Sequence, residues 1–217
     1  MLIWKLLFTG SLAAAMFALA VSRHAPVYWL AMGAVMFSWL GDASLGGFKP
    51  LTRSMSNPSL WGLGFFAAGH LCYIAAFTVF IRLWPQSGRR TPLMLAAFAA
   101  AAVAAWWFVC WRSGQPMPLR AASLAYALTL FAMACMAWVS AARLADASRF
   151  VWPLALGGAL FIISDGMIAM NWFQGWNSRW RDLLIWGTYA PAQLLLAIGF
   201  WLLRAPGVSA AAKAIGL

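Results

Sequence analysis

Apolar residues run along this chain in blocks of about 20, the length a helix needs to cross the hydrocarbon core of a bilayer. Arg, Pro and Gly punctuate the blocks and predict about seven spans, near residues 3–22, 26–46, 59–81, 92–111, 119–142, 150–173 and 183–203. The connections are short, so no soluble domain or long linker fits between them. The expected fold class is all-α: a polytopic transmembrane helical bundle forming one domain over residues 1–217. The Ala-rich stretch around 96–105 is low in complexity, but small side chains let helices approach closely in a membrane, so it reads as a packing helix. Lys5, the apolar stretch behind it and Ala18-Leu19-Ala20 have the outline of a secretory signal with its cleavage site. With further spans following, this segment is expected to remain as the first helix.

Composition agrees with the pattern. Apolar and aromatic residues make up 65% of the chain and charged residues 9%, against about 45–50% and about 25% in soluble domains. With a mean hydropathy of +0.81, the chain cannot cover its own surface with polar groups. Fifteen Lys and Arg against four acids give a net charge of +11, which in a soluble chain would suggest a polyanion partner. Here the cations stand between apolar runs. A soluble nucleic-acid binder is therefore excluded, and membrane lipids are the expected surroundings. Trp84, Trp111, Trp176 and Trp180 lie beside Arg82, Arg112, Arg179 and Arg181, as residues at the membrane–water interface do. Cys72, Cys110 and Cys135 are odd in number and sit inside apolar runs, which is neither a disulfide framework nor a metal-ligand spacing.

With the N-terminal side called A, seven cations lie on side A (Lys5, Lys49, Arg53, Arg112, Arg120, Arg179, Arg181) and eight on side B (Arg23, Arg82, Arg89, Arg90, Arg143, Arg149, Arg204, Lys213). The positive-inside rule gives no orientation from that balance.

Ionisable groups inside a span are costly to insert, about 2.5–3.5 kcal/mol each, and mark functional sites by default. Asp42, His70 and Asp165 stand well inside. Counting along the helices from side A places Asp42 about 6 Å deep, Asp165 about 12 Å, Tyr189 about 9 Å, Gln193 about 15 Å and His70 about 17 Å. Groups from four spans thus fall in the A half of the bilayer, and one pocket is expected. Ser38 and Asp42 are helical neighbours at i, i+4, as are Tyr189 and Gln193, while His70 and Tyr73 are at i, i+3. Asp182, Trp186, Tyr189 and Gln193 share one stripe of the last span. Gly157, Phe161, Ser164, Ile168 and Asn171 share a stripe of the span before it, with Asp165 turned about 100° away. Structural alternatives stand beside these readings. Asp42 could reach the interface from a helix C-terminus, Asp165, Tyr189 and Gln193 could bond between helices, and Lys5 could snorkel. Asp182 reads as an N-terminal charge complementing the helix dipole, and Asp146 as a solvated ion pair with Arg143 and Arg149.

The chemistry open to such a pocket is narrow. Two His and no Glu leave few ligands for zinc, so no metal and no cofactor are expected. No G-x-S-x-G elbow supports a serine nucleophile. Two carboxyls in an apolar setting share protons, one kept as acid and one ionised, which is the arrangement for general acid and base work. It suits a substrate protonated to an oxocarbenium-like cation and then attacked by water. A proton-coupled transporter, or a lipid-binding membrane protein without catalysis, could use the same pair. A transporter would be expected to show internal repeats and broken helices at the midplane, and no repeat is visible.

Four local patterns occur in order: Ser38-Trp39-Leu40-Gly41-Asp42 with Leu45; Gly64-Phe65 with His70, Tyr73 and Phe77; Gly158, Phe161, Ser164-Asp165 and Asn171; and Tyr189 with Gln193. In this the chain resembles the lysoplasmalogenase-like (YhhN) family of membrane proteins over residues 38–193. The resemblance implies hydrolysis of the vinyl ether bond of lysoplasmalogens to a fatty aldehyde and a glycerophospho-base, with a lysophospholipid as substrate. It implies Asp42 and Asp165 as the catalytic pair and Ser38, His70, Tyr73, Ser164, Asn171, Tyr189, Gln193 and Lys5 as pocket residues. Lys49, Arg53, Arg179 and Arg181 on side A become candidates to hold the headgroup phosphate. A bacterial inner membrane is the implied location. Two departures concern the N-terminus: relatives have about eight spans, and their Lys-Pro pair appears here as Lys5-Leu6.

Overall fold

The computed structural model describes residues 2–83, 90–144 and 152–202. The sequence expectations for Trp84, Arg89, Asp146, Arg149, Arg204 and Lys213 lie outside these residues. The described chain is helical throughout, with α1 Leu2–Arg23, α2 Pro26–Leu45, α3 Lys49–Thr52, α4 Pro58–Leu83, α5 Arg90–Trp106, α6 Met117–Leu144, α7 Trp152–Gln174 and α8 Arg181–Leu202. Six of the long helices are apolar and long enough to cross a membrane. The seventh expected span, α2, has the length at 20 residues, but Tyr28, Trp29, Ser38, Trp39 and Asp42 dilute its hydropathy. Large apolar side chains point outward: Trp4 is 72% exposed and Leu93 71%. Only hydrocarbon surroundings make that arrangement favourable.

The helices gather into two compact units, Met1–Val79 and Phe80–Leu217. In the first, α1 and α2 run antiparallel. Trp39 Nε1 donates to the Leu6 carbonyl at 3.1 Å, and Phe17 meets Trp29 edge-on with ring centroids 5.8 Å apart. Pro26 opens α2, where its missing N–H leaves nothing unsatisfied. The helix ends at Leu45, and Gly47 just beyond it, with φ of +70°, lets the chain turn back and the Phe48 N–H reach the Ala43 carbonyl at 2.9 Å. The four-residue α3 follows, and α4 begins at Pro58 with Asn57 Oδ1 accepting the Leu60 N–H at 3.2 Å. Ser44 Oγ donates to the Pro58 carbonyl at 2.7 Å and ties the end of α2 to the start of α4.

In the second unit α5 does not run on as a plain helix to Trp111. Its last turn, Trp107–Trp111, is π-helical, a one-turn expansion of the kind that breaks the regular ladder. Trp106 and Trp107 both pack on Trp111, with centroids 5.3 and 5.6 Å away. The Arg120 guanidinium lies over the same ring at 5.0 Å and donates through Nη1 to the Trp111 carbonyl at 3.0 Å. Trp106 Nε1 donates back to the Arg120 carbonyl at 2.8 Å. The expanded turn is thus held by α6 and by its own indoles.

Adjacent glycines on α7 serve two neighbours. A Cβ on Gly157 would stand 3.0 Å from the Ala192 carbonyl oxygen of α8, and one on Gly158 would stand 3.0 Å from Ala134 Cα of α6. These close approaches let α7 pack tightly on both helices.

Candidate functional site

The sequence-selected residues divide between the units. Ser38, Asp42, His70 and Tyr73 belong to the first, and Ser164, Asp165, Asn171, Tyr189 and Gln193 to the second.

In the first unit Asp42 is buried, 8% exposed, one turn before the end of α2. Its carbonyl accepts the Gly46 N–H at 2.9 Å. The Ser38 hydroxyl, one turn earlier on the same face, donates to its own helix at the Ala34 carbonyl, 3.0 Å away. A Cβ on Gly69 would come within 3.0 Å of that carbonyl oxygen and 3.4 Å of Ser38 Oγ, so α4 lies backbone-close to α2 at this level. The next residue, His70, and Tyr73 beyond it are each 1% exposed. Tyr73 stacks on Phe77 with centroids 6.2 Å apart. The imidazole and phenol are therefore packed groups. Lys5 is half-buried, and its carbonyl accepts from Thr9 Oγ1 at 2.8 Å.

In the second unit the predicted stripe of α7 faces α8. Phe161 meets Tyr189 edge-on at 5.5 Å, and Ser164 Oγ donates to the Ile185 carbonyl at 3.3 Å. Along α8, Gln193 Nε2 donates to the Tyr189 hydroxyl at 3.3 Å, and Trp186 packs on Tyr189 at 5.6 Å. The spacing of that stripe is expressed as direct contacts. Asp182 sits in the first turn of α8, where its charge complements the dipole. It also pairs with Arg181 Nε at 2.8 Å. Asn171 turns away from its stripe-mates: its Nδ2 donates to the Trp176 carbonyl at 2.8 Å and closes the loop bent at Gly175, φ +68°. Among the headgroup candidates Lys49, Arg53 and Arg179 are exposed, the last over the Trp180 ring at 5.0 Å.

Asp165 is turned to the other neighbour, α6, where the Tyr126 hydroxyl donates to its Oδ2. Tyr126 is a polar contact of Asp165 that sequence reasoning missed. It lies nine residues into α6 and Asp165 nine from the end of α7, about 13.5 Å along each helix, so the antiparallel register brings them level. The only sequence signal for Tyr126 is a phenol inside an apolar run.

Long apolar helices with carboxylates, phenols, an imidazole and a carboxamide inside them define a multi-pass integral membrane protein with polar groups set in its spans. The YhhN family model matches residues 1–200, and the chain belongs to the YhhN family. It is 33% identical over 155 residues to a lysoplasmalogenase of Mycobacterium bovis (strain ATCC BAA-935 / AF2122/97), a stretch covering 70% of this chain and 55% of that protein. The same identity and coverage hold for a lysoplasmalogenase of Mycobacterium tuberculosis (strain CDC 1551 / Oshkosh). The match thus spans about half the length of these curated relatives. No solved structure matches the chain.

Proposed function

We propose that this protein hydrolyses the vinyl ether bond of lysoplasmalogens, with Asp42 and Asp165 as the carboxylates that move protons. The observation that carries the reading is the presence of these two carboxylates inside helices of a chain 33% identical over 155 residues to two lysoplasmalogenases. A lysolipid lying in the bilayer sets its phosphate at headgroup level and its vinyl ether just beneath, the depth at which counting along the helices puts both side chains. A protonated Asp delivers its proton to the β-carbon of the enol ether, and the oxygen lone pair forms the oxocarbenium ion. An ionised Asp steadies that cation and takes a proton from the attacking water. The resulting hemiacetal collapses, breaking the C–O bond to give a fatty aldehyde and a glycerophospho-base. Lys49, Arg53, Arg179 and Arg181 are the cations proposed to meet the phosphate.

Purified protein incubated with a choline or ethanolamine lysoplasmalogen is expected to release fatty aldehyde. No aldehyde above a no-protein control, across about pH 5–9, would return the carboxylates to proton-coupled transport or lipid binding.

The same chemistry predicts that chelators leave the rate unchanged. The whole chain has two His and no Glu, and among the described residues no three His, Cys, Asp or Glu side chains gather as a metal site. Loss of aldehyde release in EDTA, restored by adding back a divalent metal, would reject a reaction run by carboxylates alone.

A further inference from the structure

The first two helices leave a long groove between them. It runs along α1 from Leu6 to Phe17 and along α2 from Leu40 to Met32, with a volume of about 1000 Å³. Its bed is made by residues too small to fill it, Gly10, Ala13 and Ala14 on α1 and Gly33 on α2. Leu7, Met36 and Leu40 stand along it, and Ser11 carries its only hydroxyl. Phe17, met edge-on by Trp29 at 5.8 Å, stands at the end remote from side A.

The length of the groove selects its occupant. From Leu6 to Phe17 is about 16 Å along the helix, about half of a hydrocarbon core of about 30 Å. A neighbouring membrane-spanning helix would need a face running through the whole core, whereas this groove stops half-way. A single hydrocarbon chain fits: at about 1.2 Å per bond of extended chain, the groove takes about 13 carbons. Its other end lies level with the proposed chemistry. The hydrogen bond from Trp39 Nε1 to the Leu6 carbonyl ties α1 to α2 there. Asp42 follows Trp39 on α2, just under one turn nearer side A. Lys5 precedes Leu6 at the same end, and its charge matches a phosphate at headgroup level.

We propose that this groove seats the hydrocarbon chain of the lysolipid and that Phe17 sets the longest chain accepted. The proposal rests on the vinyl ether reading and adds chain-length selection to it. A chain too long for the groove meets Phe17 while its vinyl ether is still on the side A side of Asp42. A misplacement of about 1 Å can already cost about a hundredfold in rate.

Two variants of the full chain move the stop in opposite directions. Position 14 and Phe17 are both exposed, so the fold tolerates changes there. Phenylalanine in Ala14→Phe stands about 4.5 Å nearer Asp42 than Phe17 does, and is expected to shorten the best chain by about four carbons. The ratio of kcat/KM for a long-chain over a short-chain lysoplasmalogen should fall about tenfold or more in Ala14→Phe and rise in Phe17→Ala. Loss of rate at every length alike would leave the ratio unmoved and overturn the proposal. Saturated alkyl ether lysolipids, which have no vinyl ether to protonate, separate the groove from the reaction. The longest of them that still raises Tm in detergent should become shorter in Ala14→Phe and longer in Phe17→Ala. Wild-type protein that makes no aldehyde while these Tm shifts occur would refute the hydrolysis and leave the chain seat standing. Aldehyde from wild type, with ratio and Tm profile unmoved in both variants, would overturn the chain seat alone.

Discussion

Asp42→Asn and Asp165→Asn are each expected to lower aldehyde release per folded molecule by about a hundredfold or more. Asparagine keeps the size of aspartate and one carbonyl oxygen. At Asp165 it can still accept from the Tyr126 hydroxyl, so the α6–α7 contact survives the change. What it loses is the ability to hold a negative charge or exchange a proton, the two functions the mechanism requires. Because the residues are proposed to act as one acid–base unit, the double variant should be little worse than the poorer single. Two carboxylates that merely brace helices would behave differently: yield or melting temperature would fall, and the folded remainder would work at nearly the full rate. Turnover must therefore be normalised to protein that passes size exclusion in detergent as a single species. A folded Asn variant that keeps more than about a third of wild-type turnover removes that Asp from the proposed chemistry.

The long helices were legible because hydropathy is a property of each segment alone. Blocks of about 20 apolar residues between Arg, Pro and Gly correspond to α1, α2, α4, the α5 segment, α6, α7 and α8. The stripes were legible for the same reason: 3.6-residue periodicity put Phe161 and Ser164 on one face and Tyr189 and Gln193 on another, and both pairs meet across or along α8. The contact of Asp165 with Tyr126 was not legible. Periodicity gives the depth of a residue along its own helix, whereas Tyr126 becomes relevant only through the register between α6 and α7, which the approach of Gly158 to Ala134 sets. Nor does periodicity extend past a helix end. Asn171 shares the Ser164 stripe by counting, yet the chain reverses at Gly175 and brings the Trp176 carbonyl to its amide. The π turn at Trp107–Trp111 is a third such case, since its supports on Arg120 come from a helix that follows in sequence.

The second large effect is expected at the other face of α7. Gly157→Ala would set a methyl 2.9 Å from Leu196 Cγ, 3.0 Å from the Ala192 carbonyl oxygen and 3.1 Å from the Leu196 backbone nitrogen. A flexible side chain could move aside, but two of these three atoms are backbone of α8, so the helices themselves must separate. Inside a membrane the packing between helices depends on such close approaches, because lipid offers no hydrophobic force to push the helices together. Overpacking of this kind costs about 1–3 kcal/mol, which in a chain of this size lowers Tm by about 2–4 °C per kcal/mol. Gly157→Val should cost more than Gly157→Ala. Gly187 and Gly64 supply the contrast: both lie in helices with nothing within 4 Å of an added Cβ. Alanine there relieves a backbone penalty of about 1 kcal/mol and should leave Tm level or raised. The displacement at Gly157 should also reach the chemistry, because the same stripe seats Ser164 and Phe161 on α8 and Asp165 follows next in the helix. Thermal melts in detergent, read beside turnover at a temperature where every variant is folded, measure both effects. Gly157→Ala melting within about a degree of wild type would mean that α7 and α8 are not held by this contact.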